Sequence, residues 1–462
     1  MQQTKNIKGL AGVSIHILLV FLFFSQLSCK KYLDKKRSQD QAVPSSLTDL
    51  QALLDNSINF SASPGYLEFV ADNYYLTTDA WNAASTVEDR SNYIWDKNAK
   101  VIQTIWTYPY QSVYYANLVL DYLPKVEVTT SDKNNYNNIK GTALFYRSFI
   151  FHQLAQLFCN PYSTTADTDL GIVLRLSSPV SDASRRATVK QTYEQIIADL
   201  ITAVDLLPVK SLVASRPNKA AAYGLLARVY LTMRDYEHAN TYAEAALALN
   251  NKLLDYNTLS PSNLPALPAF ANNPEVLYLC YEAYAPTDLI GSANCNIDST
   301  LYQSYQPNDL RKKIFFRSKG NTNYWWGSYF SLIQDAIFDG IATDEVYLIR
   351  AECRARMGSK DAAMDDLNTL LRNRWVSLTY TDLTASSPDD ALKQILIERR
   401  KELLFRGLRW SDLRRLNLDG ANINPKRVIN GITYTLPAND PRWTLLIPDA
   451  EVNRSGIPQN QR

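Results

Sequence analysis

The sequence predicts a predominantly α-helical protein. Apolar residues recur at spacings of three and four in eight segments, which is the pattern of helices with one buried face. Small residues also recur in two pairs of neighbouring segments, where two helices would meet. These observations favour a scaffold of packed helices. The predicted helices cover residues 101–123, 136–158, 193–207, 219–233, 236–249, 345–357, 361–375 and 389–405.

The N-terminus has the composition of a lipoprotein signal peptide over residues 1–28. Lys5 and Lys8 precede an apolar run over 15–24, and Cys29 follows a small residue, Ser28. The apolar run is shorter than the roughly 20 residues of a membrane-spanning helix. We expect acylation of the Cys29 thiol and cleavage before it, so that the lipid alone holds the protein at a membrane. Ordinary secretion with a free Cys29 is the alternative.

Residues 29–462 are expected to form a single domain in three parts. The first part, 29–249, contains helical hairpins, and the third, 343–462, is again helical. The intervening segment 250–342 loses helical periodicity and is rich in Asn, Ser, Pro and Tyr. Irregular chain of this length is uncommon inside a compact protein unless its loops have a function. We interpret it as a loop-rich layer on the helical scaffold.

Two pairs of predicted helices are interpreted as antiparallel hairpins. In residues 226–249, Ala227 and Ala239 would let two helices approach closely, and the segment resembles a tetratricopeptide hairpin. A second hairpin over 348–371 turns at Gly358. Because the two hairpins are far apart in the sequence, we expect them to pack around other material and not to form an open solenoid.

The last long helix has clear start and stop signals. Ser387 can cap its first turn, Pro388 suits the first helical position, and the acidic residues that follow favour the positive end of the helix dipole. Gly407 is expected where this helix stops.

Charge and cysteine content exclude two classes of site. The chain has 48 basic and 46 acidic residues, and the two lysines before Cys29 account for the difference, so the mature chain is neutral and unsuited to nucleic acid. Cys159, Cys280, Cys295 and Cys353 show no C-x-x-C spacing, so no metal site is expected. Either Cys280 and Cys295 form a disulfide, or all four thiols are buried and free.

Motifs of enzymatic chemistry are absent, and no catalytic residue or cofactor is predicted. Glu398 and Glu402 lie one helical turn apart, like the acid pair of a glycosidase. The nearby Arg399, Arg400 and Arg406 would lower the pKa of such carboxyls, whereas a general acid needs it raised. A structural ion-pair network is therefore predicted.

Other polar and aromatic residues on helical segments are expected in the core. His152 lies in an apolar segment without a nucleophile pattern beside it. Tyr108, Tyr110, Tyr114 and Tyr115 lie on a predicted helix, which favours a packing role.

Aromatic residues in loops are the positive sign of a binding site. The chain has 29 tyrosines and 8 tryptophans, and they are dense in the loops 73–82 and 323–329. A sugar offers one face of C–H groups and a rim of hydroxyls, so its binder needs flat rings beside amides, carboxylates or guanidinium groups. The candidate ligand-binding residues are Tyr74, Trp81, Asn82, Tyr302, Tyr305, Tyr324, Trp325 and Trp326.

Four segments resemble the SusD/RagB family of nutrient-uptake lipoproteins. They are 28–34, 216–231, 397–415 and the tail 446–460. The third is the most specific and reads Ile-Glu-Arg-Arg-Lys-Glu-Leu-Leu-Phe-Arg-Gly-Leu-Arg-Trp-Ser-Asp-Leu-Arg-Arg. The resemblance implies a mostly α SusD-like fold, in which tetratricopeptide-like hairpins form a scaffold for an irregular, loop-rich ligand-binding region.

The same resemblance implies a function and a location. It implies a non-catalytic protein, lipid-anchored at the outer membrane and facing the cell exterior. Such a protein would bind oligo- or polysaccharide and deliver it to a SusC-like TonB-dependent transporter. Two alternatives stay open, a peptide-binding member of the family and a lipid-anchored scaffold that holds protein partners.

Overall fold

Long helices form the scaffold of the protein in a computed structural model. The structure describes residues 44–56, 60, 62–213, 215–263, 265–282, 294–329 and 337–462, so the predicted signal peptide and Cys29 lie outside the described residues. None of the described helices is both long enough and apolar enough to cross a bilayer. The helices in this part of the chain are α1 (Leu47–Leu54), α2 (Thr78–Asn82), α3 (Val87–Tyr93), α4 (Thr104–Tyr122), α5 (Lys133–Phe158), α6 (Val189–Leu206), α7 (Lys219–Met233), α8 (Tyr236–Leu249), α9 (Ser299–Gln303), α10 (Arg311–Ile314), α11 (Thr343–Arg356), α12 (Lys360–Arg372), α13 (Pro388–Glu402), α14 (Arg409–Leu418) and α15 (Asp449–Ser455).

Short strands connect and cover these helices. One four-stranded sheet has the order β2-β7-β9-β8, and the other described pairs are β1 with β6, β3 with β4, β5 with β10, and β11 with β12. The strands are β1 (Ala62–Ser63), β2 (Tyr74–Tyr75), β3 (Leu170–Val173), β4 (Arg186–Thr188), β5 (Val276–Tyr278), β6 (Tyr281–Glu282), β7 (Asn296–Ile297), β8 (Phe316–Lys319), β9 (Thr322–Trp325), β10 (Ile341–Ala342), β11 (Lys426–Ile429) and β12 (Ile432–Thr435).

All eight predicted helices are confirmed, as α4 to α8 and α11 to α13. The bounds of α7 and α8 are the predicted ones, and the other six differ by a few residues at one or both ends. Helix α13 begins as predicted, because the Ser387 hydroxyl accepts a hydrogen bond from the Asp390 amide at 3.1 Å and Pro388 occupies the first turn.

The turn after α13 requires a glycine. The helix ends at Glu402, earlier than predicted, and Phe405 already has a left-handed backbone with φ of 54°. Gly407 has φ of +64°, and a Cβ atom there would lie 2.6 Å from Oδ1 of Asp339. Both the backbone conformation and the close approach of Asp339 therefore exclude a side chain.

The scaffold is continuous in space although it is interrupted in the sequence. Helices α4 to α8 pack in succession, and α8 then packs directly against α11, which continues to α12 and α13. The expectation that the two hairpins pack around other material is therefore wrong. The segment 250–342 leaves the array after α8 and returns at α11, so it does not separate the hairpins.

The inserted segment shares the main hydrophobic core with the scaffold. Leu225 of the scaffold, Tyr278 and Trp325 of the insertion, and Phe405 after α13 belong to one buried cluster. A smaller cluster around Leu367 lies among α11, α12 and α13. The layer is thus packed on the helices through a common apolar interior.

Some of the residues predicted to lie in the core are buried, and others are exposed. His152 is buried as predicted, and burial, followed by the nearby Arg228 charge, lowers its pKa to about 3, so it is neutral. Of the helical tyrosines, only Tyr110 and Tyr115 pack against the core. Tyr108 and Tyr114 are 38% and 36% exposed, so the core prediction is wrong for both.

The cysteines are free thiols in the structure. Cys159, Cys280, Cys295 and Cys353 are all buried and unpaired with one another. This agrees with the alternative of four buried thiols and not with a disulfide between Cys280 and Cys295. Burial raises the pKa of Cys159 to about 11, which leaves it protonated and unreactive at neutral pH.

Candidate functional site

The four-stranded sheet brings the two aromatic loops together. Strand β2 comes from the first loop, strand β9 from the second, and β7 lies between them. In register, Tyr75 lies opposite Asn296, Asn296 opposite Tyr324, and Tyr324 opposite Arg317. These four residues therefore form one row across the sheet.

The other face of this sheet is buried. Successive residues of a strand point to opposite faces, so Tyr74, Ile297, Phe316 and Trp325 lie together beneath the row. The Trp325 ring stacks on Phe405 with ring centroids 5.0 Å apart. Aromatic surface on this inner face therefore stabilises the attachment of the sheet to the scaffold.

The exposed side of the sheet has the composition of a sugar-binding surface. We call Tyr75, Asn296, Arg317, Tyr324 and Trp326 the outer face. Tyr75 is 37% exposed, and the half-buried rings of Tyr324 and Trp326 meet edge to face at 5.9 Å. The Trp326 indole N–H has no hydrogen-bond partner among the described residues, and burial lowers the pKa of Arg317. Three rings and the Arg317 cation therefore lie on this side of the sheet, whereas Asn296 is only 5% exposed and the Arg317 guanidinium also donates to the carbonyls of Lys313 and Phe316 at 3.1 and 2.8 Å.

Three of the predicted ligand-binding residues are enclosed. Tyr74, Tyr305 and Trp325 are almost fully buried. The Tyr74 hydroxyl donates to a backbone carbonyl at 2.7 Å, and the Tyr305 hydroxyl donates to the carbonyl of Lys401 at 2.7 Å. A ligand cannot reach these three rings in this structure, which corrects the expectation that they contact it.

Three other predicted residues are not part of the outer face. Tyr302 is half-buried and packs its ring edge to face against Phe316, which belongs to the inner face. Trp81 is half-buried on α2 and its indole N–H donates to the carbonyl of Arg90 at 2.9 Å, while Asn82 is exposed. Among the described residues, neither Trp81 nor Asn82 makes a hydrogen bond or ring contact with the outer face.

The outer face keeps two predicted residues and adds three that sequence reasoning missed. Tyr324 and Trp326 were predicted, whereas Tyr75, Asn296 and Arg317 were not. A signal for Tyr75 was available, because two adjacent tyrosines in a strand must point to opposite faces. Asn296 and Arg317 depend on the pairing of distant strands, for which the sequence carries no local signal.

A buried ion-pair network lies beneath the sheet, as predicted for Glu398 and Glu402. Arg311 contacts Glu398 at 2.6 Å and Glu402 at 2.9 Å, and Arg374 contacts Glu402 and Glu275 at 2.7 Å each. With both carboxylates engaged by guanidinium groups, they do not form the free acid pair of a glycosidase.

The partners in this network differ from the predicted ones. Arg399 pairs with Asp412 at 2.8 Å, Arg406 pairs with Asp344 at 2.9 Å, and Arg400 reaches the segment before β2. The three predicted arginines thus bind elsewhere, although Lys401 of the same helix contacts Glu398 at 2.7 Å. The basic partners of the glutamates come mainly from Arg311 in the inserted layer and from Arg374 after α12.

A second buried cluster consists of carboxyl groups. Burial raises the pKa of Glu68 and of Asp339 to about 7 each, and it also raises the pKa of Glu282 between them. Gln153 donates to Asp339 at 2.8 Å, and Asn73 donates to Glu68 at 2.7 Å. Across the described ranges, no group of three or more His, Cys, Asp or Glu side chains is arranged to hold a metal ion.

Comparison with known proteins identifies the family. A family model described as starch-binding and associating with the outer membrane matches residues 31–231, and a SusD family model matches 343–460. A SusD-like protein of Formosa agariphila is 24% identical over 394 residues, which cover 72% of this chain and 75% of the relative. The chain therefore belongs to the SusD/RagB family.

Solved structures confirm the predicted fold. A SusD superfamily protein from Bacteroides thetaiotaomicron is 22% identical, with a TM-score of 0.74 over 90% of this chain and 100% of the other. A laminarin-binding SusD-like protein is 17% identical, with a TM-score of 0.63 over 90% of this chain and 99% of the other. SusD-like proteins are binding proteins of the outer-membrane surface and not enzymes.

The outer face lies mostly between the two matched regions. Asn296, Arg317, Tyr324 and Trp326 fall in 232–342, between the residues that the two models match. Only Tyr75 comes from a matched region. The recognisable family features therefore belong to the scaffold, and the candidate ligand surface belongs largely to the inserted layer.

Proposed function

We propose that this chain captures oligo- or polysaccharide on its outer face and delivers it to a SusC-like TonB-dependent transporter. The row of Tyr75, Asn296, Tyr324 and Arg317, with Trp326 beside it, is the observation that carries the proposal. The rings of Tyr75, Tyr324 and Trp326 suit the C–H face of a sugar, and the guanidinium of Arg317 suits its hydroxyls. That one structural neighbour is described as laminarin-binding supports this ligand class.

The expected affinity is weak for each sugar contact. A stacked ring removes roughly 80 Å² of apolar surface from water, which at about 25 cal/mol per Å² gives near 2 kcal/mol. Two rings would give about 4 kcal/mol, equivalent to a dissociation constant of about 1 mM before hydrogen bonds and association entropy are included. We therefore expect useful affinity only for ligands that engage several contacts.

We also propose that a lipid anchor at Cys29 holds the protein at the outer membrane and that the protein faces the cell exterior. Changing Cys29→Ser should move the protein from the outer-membrane fraction to a soluble exported fraction. A protein that stays with the membrane after this change would contradict the lipid anchor. Co-purification of the anchored protein with a TonB-dependent barrel would test the transporter partnership.

Calorimetric titration tests the ligand. Laminarin, a panel of plant, host and microbial glycans, and a peptide digest would be titrated into protein that starts at Lys30. We expect one glycan class to bind, the Tyr324→Ala, Trp326→Ala double variant to lose that binding, and no product to form. Tyr108→Ala is the matched control, because this ring is comparably exposed on α4 and lies away from the sheet.

The other outcomes separate the alternatives. Heat from the digest alone would favour a peptide-binding member of the family. Turnover of any glycan would contradict a non-catalytic role. If none of the glycans or peptides bound, the protein-interaction scaffold would be favoured. The first surface to examine would then be the apolar groove of about 510 Å³ along α13, which is lined by Leu392, Leu396 and Ile397.

A further inference from the structure

A second cleft lies between α4, the loop 174–184 and α15. Its volume is about 640 Å³, within the roughly 300–1,000 Å³ of small-molecule sites. No residue of the outer face lines it. The cleft is therefore a separate concave surface that neither the aromatic loops nor the sheet explains.

One wall of the cleft is an aromatic stripe on α4. Trp106, Tyr110 and Tyr114 follow one another at intervals of four residues, so they lie along one side of the helix over about 12 Å. Trp106 and Tyr110 have ring centroids 4.9 Å apart, and Tyr114 is 36% exposed. The Tyr110 hydroxyl donates to the Val173 carbonyl and accepts from its amide, which fixes the ring.

The opposite wall is held in shape by hydrogen bonds. Asn117 donates to the carbonyls of Arg175 at 2.8 Å and Ser177 at 3.2 Å. Arg175 donates to the carbonyls of Pro179 at 2.6 Å and Asp182 at 2.5 Å, so it closes the loop on itself. A wall that is ordered before binding loses little conformational entropy when a ligand arrives.

Charges in the cleft balance, and they are already engaged. Arg454 pairs with Glu451, and Asp182 accepts a hydrogen bond from the Ser177 hydroxyl at 2.7 Å. Arg175 is occupied by the loop carbonyls described above. Two basic and two acidic residues therefore line the cleft, so their formal charges sum to zero.

Uncommitted polar groups stand beside the rings. Gln111, one residue after Tyr110, is exposed and lines the cleft, as does Tyr114. Neither side chain makes a hydrogen bond with another of the described residues. An amide and a phenol beside aromatic surface, without net charge, match a neutral ligand that has both C–H faces and hydroxyl groups.

We infer that this cleft is a second binding site, for a neutral oligosaccharide of a few sugar units. The choice of ligand class rests on the proposed function, but the site itself is separate from the outer face. A flat sheet surface suits a stretch of a longer chain, whereas a concave cleft of limited volume suits a short one. The protein would then hold a short oligosaccharide and a polymer at different places.

Titration of defined trisaccharides tests this site. Laminaritriose, cellotriose, maltotriose and xylotriose would be titrated into the chain that starts at Lys30 and into three variants of it. The Gln111→Ala, Tyr114→Ala variant changes the cleft, and Tyr324→Ala, Trp326→Ala changes the outer face. Tyr108→Ala is the matched control, because it removes a similarly exposed tyrosine of α4 that does not line the cleft.

We expect at least one trisaccharide to bind the outer-face variant as it binds the unmodified chain. The cleft variant should weaken that binding by about tenfold or more, the loss expected for one stacked ring and one hydrogen bond. The control should change it less than twofold. All three variants carry changes at accessible or half-buried side chains, and thermal unfolding checks that each is folded.

Two results would overturn the inference. One is that no trisaccharide binds the outer-face variant, and the other is that binding survives unchanged in the cleft variant. If the binding of laminarin or another polymer were still lost in the outer-face variant, the proposed function would remain supported. Conversely, trisaccharide binding at the cleft, together with polymer binding that is unchanged in the outer-face variant, would retain this site and reject the proposed one.

Discussion

The helical scaffold and the inserted layer are built in opposite ways. Scaffold helices pack mainly on helices that are their neighbours in the chain, although α8 also packs on α11, α11 on α13 and α1 on α5. The layer is made of strands of two to four residues, and its central sheet joins β2 to β7 across most of the scaffold sequence. The scaffold therefore depends mainly on local sequence, whereas the shape of the layer depends on strand pairing between distant segments.

Buried charges provide the connection between the two regions. Arg374 of the scaffold contacts Glu275 of the layer, and Arg311 of the layer contacts Glu402 of the scaffold. A buried charge without a partner is costly, so each pair restricts where the layer can sit. Apolar packing alone would define the position of the layer less strictly than these pairs do.

Removal of Arg374 should therefore produce the largest effect. In Arg374→Ala, Glu275 and Glu402 lose a buried cation at once, and breaking such a pair costs about 3–5 kcal/mol. Urea unfolding should show a loss of this size in the free energy of unfolding. The matched control is Arg372→Ala, two residues earlier at the end of α12, where Arg372 and Asp382 form a pair that is about half exposed.

The control variant should change stability by only about 0–1 kcal/mol, because water already solvates both partners. Equal losses in the two arginine variants would show that the layer is not held by its buried charges. In that case the shared apolar core alone would account for the attachment.

The pH dependence of stability should reveal the carboxyl cluster between the layer and the scaffold. Burial raises the pKa of Glu68 from 4.5 and of Asp339 from 3.8 to about 7 in the folded protein. The folded state therefore binds more protons than the unfolded state between about pH 4 and 7, and stability falls as pH rises through this window. Since one pKa unit corresponds to about 1.4 kcal/mol, the change should amount to a few kcal/mol.

Neutral replacements should flatten this slope. Unfolding of Glu68→Gln and Asp339→Asn, measured from pH 5 to pH 8, should each show a weaker loss of stability than the unmodified protein. Glu244→Gln is the control, because Glu244 forms an exposed pair with Arg354. An unchanged slope in both cluster variants would contradict the assignment of the pH dependence to these buried carboxyls.

Sequence reasoning succeeded where the structural signal is local. The bounds of α7 and α8 follow from apolar spacing, small residues and the turn between them, all within the segment itself. It also predicted that Glu398 and Glu402 form ion pairs, because nearby arginines indicate such a network. Their actual partner Arg311 comes from the layer, which no local pattern indicates.

The candidate binding surface was predicted only in part for the same reason. Sequence reasoning singled out the aromatic loops, but which ring faces outward depends on strand pairing and register. Trp325 faces the core and Trp326 does not, although the two are adjacent. Residue type therefore located the surface, while the pairing of β7 with β9 decided which residues form it.

The smallest predicted effect tests whether a local capping interaction contributes to the stability of the scaffold. Helices α12 and α13 both have a serine at the N-cap, but only Ser387 of α13 accepts a hydrogen bond from its helix, from the Asp390 amide at 3.1 Å. Ser359 of α12 makes no such bond. Loss of a capping hydrogen bond costs about 1 kcal/mol, within a range of about 0.5–2 kcal/mol.

Ser387→Ala should therefore lower the free energy of unfolding by about 1 kcal/mol, and Ser359→Ala by only a few tenths. Chemical unfolding of the two variants side by side provides the measurement, because both changes remove one hydroxyl at a helix start. Equal effects would mean that the capping signal, although it predicted where α13 begins, does not stabilise it. A clear difference would show that the capping hydrogen bond, which predicts where α13 begins, also stabilises this scaffold helix. In the layer, by contrast, the interacting residues come from distant parts of the sequence.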